Sequence, residues 1–137
     1  MAQLFPNAPC PCGSAAKYKR CCGLFHRGVP APDALTLMKS RYVAYAVGDA
    51  HYIVTTTHPE SGEFDADTSA WLARIGQYSR ATEFQGLIIQ SFEDGPARAH
   101  VTFYAQLRQH GADASFTEKS EFVRVNDRWL YRAGARL

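Results

Sequence analysis

The chain has 137 residues, 46% of them hydrophobic and 20% charged, with a formal net charge of +2. This suffices for one domain with an ordinary core and a short appendage, and the composition excludes a disordered chain. The small net charge gives no reason by itself to expect nucleic-acid binding, and the opening MAQLFPNAPCPCG has neither a charged leader nor a long apolar run, so a cytoplasmic protein with no membrane span is expected.

The four cysteines all fall between positions 10 and 22, as Cys10-Pro11-Cys12-Gly13, then Cys21-Cys22-Gly23, with eight residues between the pairs. Four thiolates at tetrahedral corners, each about 2.3 Å from the ion, are what a structural zinc site requires. A reducing compartment favours metal over disulfides, and bridges between adjacent or nearly adjacent cysteines are strained. Gly13 suits the tight turn that lets Cys10 and Cys12 share an ion. A segment this small cannot bury its own core, so metal must supply folding energy, roughly 10–16 kcal/mol in finger peptides. Four thiolates around Zn²⁺ leave a site of charge −2, which Lys17, Lys19 and Arg20 in the intervening loop offset. Two disulfides, a reactive thiol, an iron–sulfur cluster, or His26 replacing Cys22 as fourth ligand are the alternatives. Lys17, Lys19, Arg20 and Arg27 all precede Asp33, the first acidic residue, so the head carries +4 and the rest about −2 by subtraction.

Gly28-Val29-Pro30-Ala31-Pro32 breaks both helix and sheet, dividing the chain into a head (1–27), a linker (28–32) and a body (33–137). Asp33 is expected to cap a helix running to Val47, with Leu35, Met38, Tyr42 and Tyr45 at helical spacing and Gly48 as its stop. Asp49 is expected to cap a short helix over 51–57, closed by His58-Pro59, although the threonines at 55–57 are weak helix formers. Asp67 caps a third helix over 68–79, whose stripe is Trp71, Leu72, Ile75 and Tyr78. From 82 the period becomes two. Residues 82–93 form a strand with a bulge near Gly86. Residues 97–109 place Ala97, Ala99, Val101, Phe103, Ala105 and Leu107 on one face and Arg98, His100, Thr102, Tyr104, Gln106 and Arg108 on the other. A turn at 110–113, a strand over 114–125 with a bulge where parity shifts at Phe122/Val123, a turn at Asn126-Asp127 and a strand over 128–132 complete the chain. Three helices followed by antiparallel strands make an α+β plan with the helices on one face of a curved sheet.

Pro9-Cys10-Pro11-Cys12-Gly13-Ser14-Ala15-Ala16-Lys17-Tyr18-Lys19-Arg20-Cys21-Cys22-Gly23 closely resembles the SEC-C motif, named from the C-terminal tail of the translocase ATPase SecA. The resemblance implies a zinc knuckle with Cys10, Cys12, Cys21 and Cys22 as ligands, docking on proteins or ribosomes and doing no chemistry. That family usually has Gly where this chain has Ala15, and Lys at Ala16. Farther on, Leu37 to Asp49, Tyr52, Thr56-Thr57-His58-Pro59, Glu118 to Arg124 and Arg128-Trp129-Leu130-Tyr131 resemble the YchJ family, largely uncharacterised bacterial proteins joining a SEC-C motif to a cystatin-like, nuclear transport factor two-like cone. Two departures are Arg132-Ala133-Gly134 where some relatives have Asp-Gly, and Thr117 where others have His.

Such a cone encloses a pocket between helices and sheet. Its expected polar lining is Arg41, Tyr45, His58, Tyr104, Glu118 and Ser120, with Trp71, Phe122 and Trp129 as apolar walls. Against this, His58 is simply read as a helix-end cap, Arg41 as a capping or salt-bridge residue facing Glu118, and Tyr45 as packing. No phosphate loop, nucleophile elbow or metal-binding His-Glu helix is present in the sequence. The expected function is a protein- or ribosome-interaction module with structural Zn²⁺. The alternatives are acid/base catalysis or small-molecule binding in the cone, and weak nucleic-acid binding by the basic head with Tyr18 and Phe25. A homodimer formed through the sheet is compatible with the pattern.

Overall fold

The computed structural model describes residues 6–137. The head opens with a backbone hairpin in which Pro9 pairs with Lys17 and the Cys10 N–H donates to Ala16 O at 2.8 Å. A single 3₁₀ turn, Tyr18–Arg20, and a short helix α1, Cys22–His26, follow. The body comprises helices α2 (Ala34–Val47), α3 (Ala50–Thr55) and α4 (Thr68–Ala81), then strands β1 (Thr82–Glu93), β2 (Arg98–Gln109), β3 (Ala112–Asp113), β4 (Phe116–Val125) and β5 (Arg128–Arg136).

The expected caps are in place. The Asp33 carboxylate accepts from the Thr36 N–H, that of Asp49 from Tyr52 and that of Asp67 from Ala70. Each satisfies an N–H that the first turn leaves without a helical partner. Gly48 closes α2 at φ 81°, a left-handed angle that costs glycine little. Helix α3 is shorter than expected: it ends at Thr55, not at 57. The threonine hydroxyls turn back on the helix, Thr56 Oγ1 to Tyr52 O and Thr57 Oγ1 to Ile53 O, both at 2.7 Å. Thr57 then makes a parallel bridge with Tyr131, through His58 N–H to Tyr131 O and Tyr131 N–H to Thr56 O. Helix α4 runs two residues beyond Ser79 and passes directly into β1.

The strands form one antiparallel sheet in the order β1-β2-β4-β5, with β3 pairing back onto β2. The β2–β3 and β4–β5 hairpins close through two-residue turns with positive φ, His110-Gly111 and Asn126-Asp127, and β1–β2 through the longer loop 94–97. The β1–β2 register shifts between Phe84 and Gly86, near the expected bulge, and again between Ile89 and Ser91. Tyr42 from α2 donates to the Gly86 carbonyl at 2.9 Å, tying helix to bulge. The bulge expected at Phe122/Val123 belongs instead to the partner strand. Glu121 opposes Ala133 and Phe122 opposes Tyr131, so Arg132 is the extra residue. Beyond it β5 continues to Arg136, four residues past the expected end at 132, although Arg132-Ala-Gly-Ala-Arg carries little strand propensity. Pairing to β4 imposes the conformation there.

Helices α2 and α4 pack on one face of the sheet. The expected inward face of β2 is buried from Ala99 onward, whereas Ala97 is exposed and precedes the strand: Ala99, Val101, Phe103, Ala105 and Leu107 meet Leu37, Val43, Ile53, Ile75 and Phe122 in the core. Among the described residues no helix is long and apolar enough to cross a membrane.

Candidate functional site

Two places carry polar chemistry. The first is the head. The hairpin supplies Cys10 and Cys12; Cys21 lies at the junction between the 3₁₀ turn and α1, and Cys22 opens α1. Their four Sγ atoms all lie within 4.8 Å of one another, with Cys12 and Cys21 at 3.6 Å. None of the four is in a disulfide. Sulfurs at the corners of a tetrahedron with 2.3 Å bonds would be about 3.8 Å apart, so the cluster has the size and the soft donors a four-thiolate metal site needs. Cys10, Cys12 and Cys22 are buried, and the Ser14 hydroxyl lies 3.2 Å from Cys21 Sγ. Thiols this close cannot all ionise without a cation. Hydrogen bonds from Cys10 and Cys22 lower Cys12, whereas the neighbouring Cys10 and Cys12 sulfurs and burial push Cys22 up.

His26 takes no part in the cluster. Its side chain is only 4% exposed and joins head to body. Nε2 lies 2.8 Å from Ser40 O on α2, and Nδ1 lies 2.6 Å from the Tyr18 hydroxyl. A carbonyl can only accept, so Nε2 carries the proton and Nδ1 accepts from Tyr18. Burial lowers the His26 pKa and keeps the ring neutral, while burial also pushes Tyr18 up to about 12, so the phenol remains a donor. The His26 ring packs on Tyr52, with centroids 4.7 Å apart. These contacts seat the head on α2.

The second place is a cavity of about 560 Å³ between α2, α4 and the sheet. Of the residues singled out in the sequence, Arg41, Tyr45, Trp71, Glu118, Ser120 and Phe122 line it. His58, Tyr104 and Trp129 do not. His58 follows α3, where its Nδ1 accepts from the Glu60 N–H at 3.0 Å. Tyr104 shares the outer face of β2 with His100 and Thr102, as strand parity requires, and pairs with Ile88 and Thr117. Trp129 is buried beneath the head, lining a smaller cleft with Phe25 and His26.

Arg41 does not face Glu118 as an ion-pair partner. Its Nη1 donates to Thr56 Oγ1 (2.7 Å), Thr57 Oγ1 (3.1 Å) and Ile53 O (3.2 Å), closing the end of α3. Its guanidinium stacks over the Tyr131 ring, 4.6 Å from the centroid. Glu118 instead accepts from Ser120 Oγ (2.6 Å) and Arg136 Nε (3.4 Å). Arg136 in turn covers the Phe116 ring. Asp65 and Arg74 pair at 2.9 Å on the cavity wall. Burial pushes Tyr45 up to about 12 and raises Tyr131 further, with the nearby Glu63 and Glu118 adding to the latter. Tyr131, Glu63 and Arg136 were not singled out in the sequence. Tyr131 was accessible through parity with Trp129 on the last strand, whereas Glu63 lies in the α3–α4 loop and Arg136 beyond the expected strand end.

Comparison with known proteins places both parts. Residues 7–24 match the SEC-C motif, and residues 33–134 match the middle NTF2-like domain of YchJ. A UPF0225 protein of Xanthomonas oryzae pv. oryzae is 42% identical over 135 residues, covering 96% of this chain and 97% of its own. One from Streptomyces coelicolor is 37% identical over 130 residues, covering 94% and 96%. The solution structure of a SEC-C motif containing protein from Rhodopseudomonas palustris superposes with a TM-score of 0.80 at 32% identity, covering 95% of this chain and 99% of that one. A SEC-C motif containing protein from Psychrobacter arcticus shares the fold, with a TM-score of 0.78 at 24% identity over 93% and 82% of the two chains. With a cysteine head matching SEC-C, a cone matching the YchJ middle domain and UPF0225 relatives aligned along nearly its whole length, the chain belongs to the YchJ (UPF0225) family.

Proposed function

We propose that the protein is an interaction module whose head is held by structural zinc and presents a basic surface to an acidic protein or ribosomal partner. The observation that carries the zinc reading is the closed donor set. Four thiols of one chain surround one point, leaving no coordination position for substrate, which is the pattern of structural rather than catalytic zinc. Cys10, Cys12, Cys21 and Cys22 would hold the ion. Support for the docking role comes from Lys17, Arg20 and Arg27, all exposed on a head that has no acidic residue. Because His26 holds this head on α2, those charges sit on a fixed surface, which lowers the entropy lost on binding.

The test has two parts. Metal analysis of protein purified under reducing conditions should find one zinc per chain. Pull-down from a bacterial lysate, followed by identification of the captured proteins, should recover a defined partner with wild type and lose it with Cys10→Ser/Cys12→Ser and with Lys17→Glu/Arg20→Glu. Equal recovery by all three would sink the docking role. Absence of stoichiometric metal would sink the zinc reading.

A second reading, a small-molecule site in the cone, is favoured by the cavity. Binding has more support there than acid/base catalysis. No histidine lines the cavity among the described residues, both Tyr45 and Tyr131 are pushed away from neutral pH, and Glu118 already accepts two hydrogen bonds.

A further inference from the structure

We infer that the cone cavity is a binding site for a small organic anion, an apolar and preferably aromatic body bearing one carboxylate, with Arg41 receiving the carboxylate. The inference rests on the cone-binding reading above and is independent of the zinc.

Arg41 is 6% exposed, yet no carboxylate lies within 4 Å of it among the described residues. Arginine is seldom buried without an anionic partner, because desolvating the charge is costly. Its fixed contacts are all to uncharged oxygens and all use Nη1, which leaves the N–H groups on Nε and Nη2 without protein acceptors among the described residues. Stacking on Tyr131 from one side and the three Nη1 bonds hold the guanidinium plane in place. A fixed fork of donors with spare N–H groups suits bidentate capture of a carboxylate.

Of the other charges on the cavity wall, Glu118 is paired with Arg136 and Asp65 with Arg74. Glu63 has no ion-pair partner among the described residues and reaches the Tyr131 hydroxyl, but it is exposed, so water screens its charge. The unmatched charge that is buried is therefore the positive one of Arg41. Much of the remaining lining is apolar: Trp71, Ile75, Phe84, Phe103 and Leu107 line the cavity together with the small Ala105. An apolar body there with its anion at Arg41 would match both ends.

Three probes of one shape separate the possibilities: 2-naphthoate, 2-naphthamide and 2-naphthylmethylammonium, titrated into the full-length chain by calorimetry. The naphthoate should bind at least about tenfold more tightly than the amide, and the ammonium more weakly than either. Arg41→Gln should bring naphthoate and amide to within about twofold of each other, and Ala105→Phe should abolish binding of both by filling the cavity floor. Binding of all three probes with equal affinity would leave a cone site but overturn the anion preference, and would reduce Arg41 to a cap for α3. No binding of any probe would overturn the cone-binding reading as well. Unchanged binding to Ala105→Phe would place the site elsewhere and overturn the inference. If Arg41→Gln fails to fold, the wild-type ranking decides alone.

Discussion

Ala15 occupies the left-handed region at φ 68°, an angle that costs an L-residue roughly 1–2 kcal/mol and glycine little. The SEC-C pattern usually has glycine at this position, and the backbone explains why. Ala15 is exposed, so nothing opposes the exchange. Ala15→Gly should tighten the head by up to about 1 kcal/mol once the greater unfolded-state freedom of glycine is subtracted, read on protein loaded with zinc as slower metal release to a chelator. Gly23 is the opposite case. A Cβ there would stand 2.6 Å from the Tyr18 carbonyl oxygen, so Gly23→Ala must push α1 off the 3₁₀ turn and should speed the same release. In the body, Ser79 Oγ is buried without a hydrogen-bond partner on a helix face that touches the core. Ser79→Ala removes that desolvated hydroxyl and improves helix propensity, so it should stabilise by about 1 kcal/mol and raise the melting temperature. A fall would indicate that an ordered water satisfies the hydroxyl.

Among the elements, α1 shows how a five-residue helix becomes useful. Alone it is too short to be stable, but its start lies in the cysteine cluster and His26 pins its end to α2. The His26 pKa is lowered by burial, so the unfolded chain binds the proton more readily than the folded one. Stability from this group is therefore full above the unfolded value, about 6.5, and falls as the pH drops through it toward the folded value. Between pH 7 and 5.5 the melting temperature of wild type should decline more steeply than that of His26→Gln, which has no charge to gain. Thiolate protonation acts on both proteins, so the difference between their slopes isolates the imidazole. Parallel slopes would mean that His26 is not held neutral. Strand β5 shows how pairing can override propensity. The extra residue Arg132 lets the strand continue to Arg136, and Gly134 makes room for what lies across it, since a Cβ would come within 2.4 Å of Glu118 Oε2 and 2.5 Å of the Tyr131 hydroxyl.

For the molecule as a whole, head and body differ in what stabilises them. The body has a continuous core in which Leu37, Ile53, Val101, Leu107 and Phe122 are almost wholly buried. Among the described residues the head has no comparable apolar core; it is held by the hairpin bonds and the His26 contact, and, on the proposed reading, by a metal at its four cysteines. Chelation under reducing conditions should therefore collapse the amide resonances of residues 7–27 into the random-coil range while leaving those of β1, β2 and β4 in place, with a modest fall in the melting temperature of the body as the packing on α2 is lost. Unaltered head resonances after complete metal removal would show that the metal does not hold the head.

The sequence by itself determined the elements whose physics is local: the three Asp caps, the left-handed stop at Gly48, the alternation that buries one face of β2, and a cysteine spacing that lets four thiols converge. It also contained the parity that puts Tyr104 on the outer face of the sheet, away from the cavity. Only the tertiary structure decided the rest, because the rest depends on which distant backbones meet. Thr57 pairs with Tyr131 and shortens α3, Arg132 is squeezed out opposite Glu121 and Phe122, His26 finds Ser40, and Arg41 turns to the threonines of α3 while Arg136 takes Glu118. None of these partners is close in the chain. Local propensity therefore does not encode them, and they are set by the close packing of helices against a twisted sheet.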